Sequence, residues 1–267
     1  MACPDTTPAL SHSISRRSRS QSRRHGIINQ LQCSAMQTFQ PDSLESGACI
    51  HRHCHTQPYA TLVLEGAYEE AGDAGRLNVS PGDVLFHGPF SAHLDYVSPR
   101  RTVVLDLPLP FGTQAHPAKC RVADPDALVR LAARDATAAI EQLFDASQQA
   151  ASAPMDLPDL LAEALRSDAP PRISQWAEES GYSREHLSRQ FHIAYGVAPA
   201  RYRAEALARR AWRMISEENE SFASIAAALG YADQAHMARS IKTNTGRTPR
   251  EWRSNAVRAS VSARGTY

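Results

Sequence analysis

Paired cysteines, long apolar runs and net charge are what this sequence lacks. Its five cysteines include no C-x-x-C pair, which argues against a disulfide framework and against a zinc finger. The cytoplasm is the simplest compartment for such a chain. No apolar run approaches the roughly eighteen residues that a membrane helix needs, so no spanning segment is expected. The formal net charge is only +1, which by itself says little, but it conceals an asymmetry. Residues 1–30 hold five Arg against one Asp, and 31–153 hold eight basic residues against fourteen acidic ones. The basic balance returns in 184–213, with seven Arg against two Glu. Such a stretch is either a solvated helix face or a nucleic-acid footprint.

With 267 residues, 42% of them hydrophobic and 21% charged, the chain suits a soluble protein of two domains. The N-terminal "SHSISRRSRSQSRRHG" is charged without an apolar segment, so it does not read as a secretory signal. We read 1–36 as a disordered basic arm. It is either a DNA-seeking tail or a stretch upstream of a natural start at Met36. From 37 to 112, "YATLVLEG", "GRLNVSPGDVLFHG" and "RRTVVLDLPLP" read as strands closed by Gly, Pro and Asp turns. Strands at this spacing suggest a sandwich or barrel. Residues 113–153 read as a helical connection and linker. There Leu128, Leu131, Ala132, Ala136, Ala139, Ile140, Leu143 and Phe144 share one face of a single predicted helix. That face must cover something: the strands, or a second copy of the chain. Residues 154–256 read as all-helical, and 257–267 as a tail.

The helical part repeats itself. "GVAPARYR" at 196–203 returns as "GRTPREWR" at 246–253, and "ISQWAEESGYS" at 173–183 returns as "FASIAAALGYA" at 222–232. In each copy a short helix with an inner Ala precedes Gly181 or Gly230, a residue free to turn left-handed. Ser183 or Asp233 then stands where it caps a second helix. That second helix offers Leu187 and Phe191, or Met237 and Ile241, to a core. Pro199 and Pro249 open the next helices, and Tyr202 and Trp252 fall where they pack back over each motif. Two helices on a tight Gly turn form a helix-turn-helix, whose second helix suits a DNA major groove. Packing alone also produces such pairs in bundles. The unbroken "PARYRAEALARRAWRMISEE" between the copies, however, predicts a bridge of about 30 Å, close to one DNA turn. Its Arg201, Arg203, Arg209, Arg210 and Arg213 are placed for phosphates or for packing.

Through "LSRQF", "GVAPARYR" and "IAAALGYADQAHMARSIKTNTGRTPREWR", about a hundred residues resemble the DNA-binding domain of the AraC/XylS transcriptional regulators. The resemblance implies two helix-turn-helix units on a long helix, reading one asymmetric site near a promoter and recruiting RNA polymerase. Its base-reading positions fall on Arg184, Glu185, Ser188 and Arg189, and on Gln234, Ala235, His236 and Arg239. Met237 and Ile241 stand where the family usually has Phe, which suggests a looser second core.

Upstream, "HRHCHTQPY" sets His51, His53 and His55 at alternate positions, hence on one face of a strand. With "GDVLFHGPFSAH" ending at His93, this region resembles a small cupin barrel, which many regulators of that family carry as a sensor. Cupin metal sites use two His one residue apart, a Glu soon after, and a later His. His53, His55 and His93 fit three of these positions, but Tyr59 stands near the fourth and no acid lies between His55 and Glu65. Three imidazoles suit a divalent transition metal. An organic effector held by the same side chains is the other reading.

The expected fold is therefore α+β multidomain: a cupin-like barrel, a connecting helix and an all-α double helix-turn-helix. The expected function is sequence-specific transcription regulation, with two recognition helices in successive major grooves of double-stranded DNA. A small-molecule or metal effector and a homodimer are compatible partners; no enzymatic role is expected. The alternative is a metal-dependent cupin enzyme fused to a DNA-binding module.

Overall fold

The computed structural model describes residues 39–111, 118–146, 148–149, 155–217 and 219–254. The basic arm, the C-terminal tail and much of the predicted linker lie outside the described residues. Among the described residues ten strands run along the first half: β1 (Asp42–Leu44), β2 (Cys49–Cys54), β3 (Tyr59–Glu65), β4 (Tyr68–Gly72), β5 (Gly75–Val79), β6 (Asp83–His87), β7 (Ala92–Val97), β8 (Thr102–Pro108), β9 (Lys119–Arg121) and β10 (Gln148–Gln149). They form two antiparallel sheets, one ordered β1-β8-β3-β6-β9-β10 and the other β2-β7-β4-β5. Among the described residues no strand pairing joins the two sheets. The expected closed barrel is therefore a two-sheet sandwich.

Alternation along each strand sets two chemistries on its two faces. In the first sheet Ala60, Leu62, Val84, Leu105 and Leu107 face outward into an apolar layer. Tyr59, Thr61, Leu85 and His87 take the opposite face. In the second sheet Ala71, Leu94 and Tyr96 face the helical half, while Glu70, His93 and Asp95 turn toward the first sheet. Val63, Leu85 and Val104 meet Tyr68 and Val79 between the sheets.

The single connecting helix expected over 128–144 is two helices, α1 (Pro125–Ala132) and α2 (Ala136–Ala146). The chain breaks because Asp135 caps α2, its Oδ1 accepting from Ala138 N at 3.1 Å, and Asp and helix interior are poor companions. Leu128, Ala132, Ala139 and Leu143, all buried, pack on the outer face of the first sheet. The sheet accounts for the apolar face, so the packing itself gives no reason for pairing between chains.

The second half holds α3 (Leu157–Arg166), α4 (Ile173–Glu179), α5 (Arg184–Tyr195), α6 (Pro199–Glu217), α7 (Phe222–Ala228) and α8 (Gln234–Thr245), and residues 249–254 are helical again. The repeat is reproduced in detail. Gly181 and Gly230 end their turns at φ 74° and 71°, and Gly196 and Gly246 end α5 and α8 at 65° and 76°. Ser183 accepts from His186 N, and Asp233 from His236 N. Tyr202 is buried edge-on to Phe191 and Tyr195. Trp252 reaches Thr245, its Nε1 donating to Oγ1 at 2.8 Å. Met237 and Ile241 are fully buried, so the second core is filled despite its smaller residues.

The outer face of the second sheet docks on α3, α5 and α6. Arg52 on β2 donates to Glu205 of α6 at 3.0 Å. Asp73, in the β4–β5 turn, receives Arg209 Nη2 at 2.6 Å, and its carbonyl receives Arg166 at 2.6 Å. Tyr202 donates to the Gly72 carbonyl at 3.1 Å. Arg76 of β5 grips Asp159 of α3 through two bonds of 2.9 Å and also pairs with Asp156. Further along, Phe90, held at φ 60°, lies edge-on to both Trp212 and Trp252.

Candidate functional site

Two places in the molecule concentrate chemistry. The first is the exposed face of the repeated helices. On α5, Arg184, Glu185 and Arg189 are exposed and Ser188 half-buried, while Leu187 and Phe191 are buried. On α8, Gln234, Ala235, His236 and Arg239 are exposed above buried Met237 and Ile241. Each helix thus separates a polar outer face from an apolar inner one, and the docked sheets leave both outer faces open. α6 joins the units over 19 residues, about 28 Å at 1.5 Å per residue. Not every arginine on it is free for phosphate. Arg209 is committed to Asp73, Arg201 to Glu205 at 3.0 Å, and Arg210 to Asp168 at 2.8 Å. Arg213 remains exposed.

The second place lies between the sheets. His53, His55 and His93 come together as their spacing predicts, with ligand atoms within 4.8 Å of one another. His51 is exposed; its carbonyl accepts from His53 Nδ1 at 3.0 Å. Cys54 is exposed on the other face of the strand. The cluster also contains residues that spacing does not mark. Glu70 of β4, His87 of β6 and His93 of β7 form a second convergent group, all three buried. His87 Nε2 lies 2.9 Å from Glu70 Oε2, and His93 Nδ1 lies 2.9 Å from the same oxygen. Asp95 stands 3.3 Å from His93 Nδ1, and the Tyr59 hydroxyl 3.2 Å from its Nε2. Tyr59 stacks on His87 with ring centres 4.2 Å apart.

Burial and mutual repulsion divide the charges in this cluster. Burial first, and then the neighbouring His93, push His55 down to about 3, and His53 shifts in the same direction for the same two reasons. Burial also opposes charge on His93, but Glu70 and Asp95 overcome it and raise that imidazole to about 10. For Glu70, burial works against ionisation, and His87 and His93 more than reverse it, leaving the carboxyl well below its ordinary range. The inner end is therefore a carboxylate–imidazolium network, and the outer end a pair of neutral imidazoles suited to ligation. Glu70 and His87 had one sequence signal. Each is a polar residue in the inward register of its strand, Glu70 two after Tyr68 and His87 two after Leu85.

The helical half defines the class: a paired helix-turn-helix unit mounted on one long helix. Residues 176–255 match the family model described as "Helix-turn-helix domain". No curated protein matches the chain in sequence. Among solved structures, the chain is similar to a transcriptional regulator with an AraC-type DNA-binding domain from Chromobacterium violaceum. The two share 24% identity over 36% of this chain and 88% of that one, with a TM-score of 0.34. It is also similar to the C-terminal domain of AraT, a response regulator from Geobacillus stearothermophilus, with 18% identity over 39% and 88% and a TM-score of 0.36. Unsaturated fatty acid-bound ToxT from Vibrio cholerae matches over 82% of this chain and 96% of its own, at 10% identity and a TM-score of 0.35.

Proposed function

We propose that the chain is a cytoplasmic transcription regulator that reads double-stranded promoter DNA with α5 and α8 in successive major grooves. The observation that carries this reading is the exposure of two equivalent helix faces at either end of one 19-residue helix. Arg184, Glu185, Ser188 and Arg189 form one reading head; Gln234, Ala235, His236 and Arg239 form the other. Arginine bidentate to guanine, glutamine to adenine and glutamate to cytosine are the pairings these side chains offer. The two heads differ in sequence, which suits one asymmetric site read by a single chain. Contact with RNA polymerase follows from the family resemblance alone.

The two-sheet half serves as a cupin-like sensor, with His53, His55 and His93 lining its effector site. A divalent transition metal or a small organic effector is the ligand class these imidazoles fit. A metal-dependent enzyme fused to a DNA reader is the rival, and the direct docking of the second sheet on α6 favours the regulator. Retention of fragments from the protein's own genome tests the reading. A regulator retains a few fragments saturably and turns over no small molecule; equal retention of all fragments contradicts specific regulation.

A further inference from the structure

We propose that Glu70, His87 and His93 form a divalent transition-metal seat at the buried end of the histidine cluster, distinct from the half-exposed His53–His55 pair. The inference rests on reading the space between the sheets as the sensor site, and it names the residues that hold the ion there.

Three observations lead to it. The first is spacing. His87 Nε2 and His93 Nδ1 each lie 2.9 Å from Glu70 Oε2, and the three ligand atoms lie within 4.8 Å of one another. Ligands about 2.0–2.2 Å from one ion stand about 2.9–3.6 Å apart in tetrahedral or octahedral arrangement. Small side-chain rotations, with loss of the protons between the ligands, would admit the ion. A set of two imidazoles and one carboxylate suits zinc, iron(II) or manganese(II) and leaves positions open for a further ligand.

The second observation is charge. Glu70 and Asp95 are both buried, and among the described residues their ion pairs are to imidazoles alone, with no Lys or Arg. Two buried carboxylates converge on one imidazole, His93, so the pocket carries more acceptor charge than its single shared ring can match by contact. Elsewhere in the same half, Asp73 and Asp83 meet arginine or lysine directly. The third observation is unsatisfied polarity. At the seat itself His93 Nδ1 and Asp95 Oδ1 are buried without a formed hydrogen bond among the described residues. A self-contained ion-pair network would satisfy these facing atoms, whereas an ion between them supplies the missing partner.

The outer pair is less suited to hold an ion by itself. His53 and His55 are only half-buried, and this end supplies no carboxylate. Tyr59, whose hydroxyl meets His93 Nε2, is the supporting contact that fixes a ligating ring, while Asp95 on the Nδ1 side places a second carboxylate beside the ion.

The test uses the full chain, expressed with zinc, iron or manganese supplementation and purified without an affinity tag, with metal counted by elemental analysis. About one ion per chain is expected in the wild type and in the H53A/H55A double variant. E70Q and H87A should each lose at least tenfold in occupancy. Added zinc should raise the melting temperature of the wild type but not that of E70Q. E70Q keeps the shape of the side chain, so it decides the question if H87A does not fold. Retention of metal by E70Q overturns the seat, as does loss from H53A/H55A. A metal-free wild type overturns it as well and leaves an ion-pair network. Retention of a specific DNA fragment is measured on the same samples. A wild type that carries no metal but retains the fragment rejects this seat alone, while a wild type that retains no fragment rejects the regulator reading.

Discussion

Arg52 of the second sheet and Glu205 of the long helix meet at 3.0 Å, with both side chains buried. The strand that supplies Arg52 outward supplies His53 inward. One strand therefore touches both the histidine cluster and the helix that joins the two helix-turn-helix units. Arg52 also donates to the Ala71 and Tyr195 carbonyls, each at 3.4 Å, and lies over the Tyr202 ring.

Removing one partner of such a pair strands the other charge in the interior. Arg52→Ala should therefore lower unfolding stability by about 3 kcal/mol, read by urea denaturation. A loss below about 1 kcal/mol, the value of an exposed pair, would mean that the sheet is not held on α6 in solution.

Much of this arrangement is legible in the sequence, and the reasons differ by region. The repeated Gly, Ser/Asp and Pro positions report the helix-turn-helix pair because each is a local backbone requirement. His53 and His55 are legible because strand periodicity carries them to one face, and His93 through the resemblance to a cupin. The pairing of Arg52 with Glu205, and of Asp73 with Arg209, is not legible, since nothing local records which surface a strand's outer face will meet. The missing acid is a similar case. Glu70 arrives from β4 beside His93 through sheet pairing, whereas a search along the chain after His55 finds only Tyr59. The split between α1 and α2 was obscured because the apolar period continues across Asp135.

Gly196 and Gly246 occupy equivalent places but different surroundings. A Cβ on Gly196 would lie 2.8 Å from Leu94 Cδ2, whereas one on Gly246 meets nothing within 4 Å. Both substitutions to Ala carry the strain of a left-handed backbone, about 1–2 kcal/mol. Gly196→Ala should cost about 1 kcal/mol more, for displacing Leu94 from a packed interface. Equal losses in thermal denaturation would show that Leu94 does not rest against α5.

Asp159 is held by Arg76 and by the Tyr195 hydroxyl at 2.8 Å. Burial raises its pKa, but these bonds outweigh burial and lower it below the ordinary value. A depressed carboxyl contributes stability above its unfolded pKa of about 4 and loses it as pH falls through the folded value. The melting temperature should therefore fall more steeply below pH 4 in the wild type than in Asp159→Asn. Parallel pH profiles would remove Asp159 from this linkage.

Arg189 and Arg239 stand at equivalent exposed positions of α5 and α8. Each mutated to Ala should weaken specific binding by about 1–3 kcal/mol while leaving stability unchanged. Gel-shift titration against a retained fragment measures this, and wild-type affinity in either variant would exclude that residue from the reading surface.

The central claim is that one chain places two unlike reading heads in successive major grooves, and a footprint on a retained fragment tests it most directly. The wild type should protect two major-groove patches on one face of the duplex, about 10 base pairs apart. Arg189→Ala should weaken one patch and Arg239→Ala the other. A single patch, or two patches on opposite faces of the duplex, would contradict the claim.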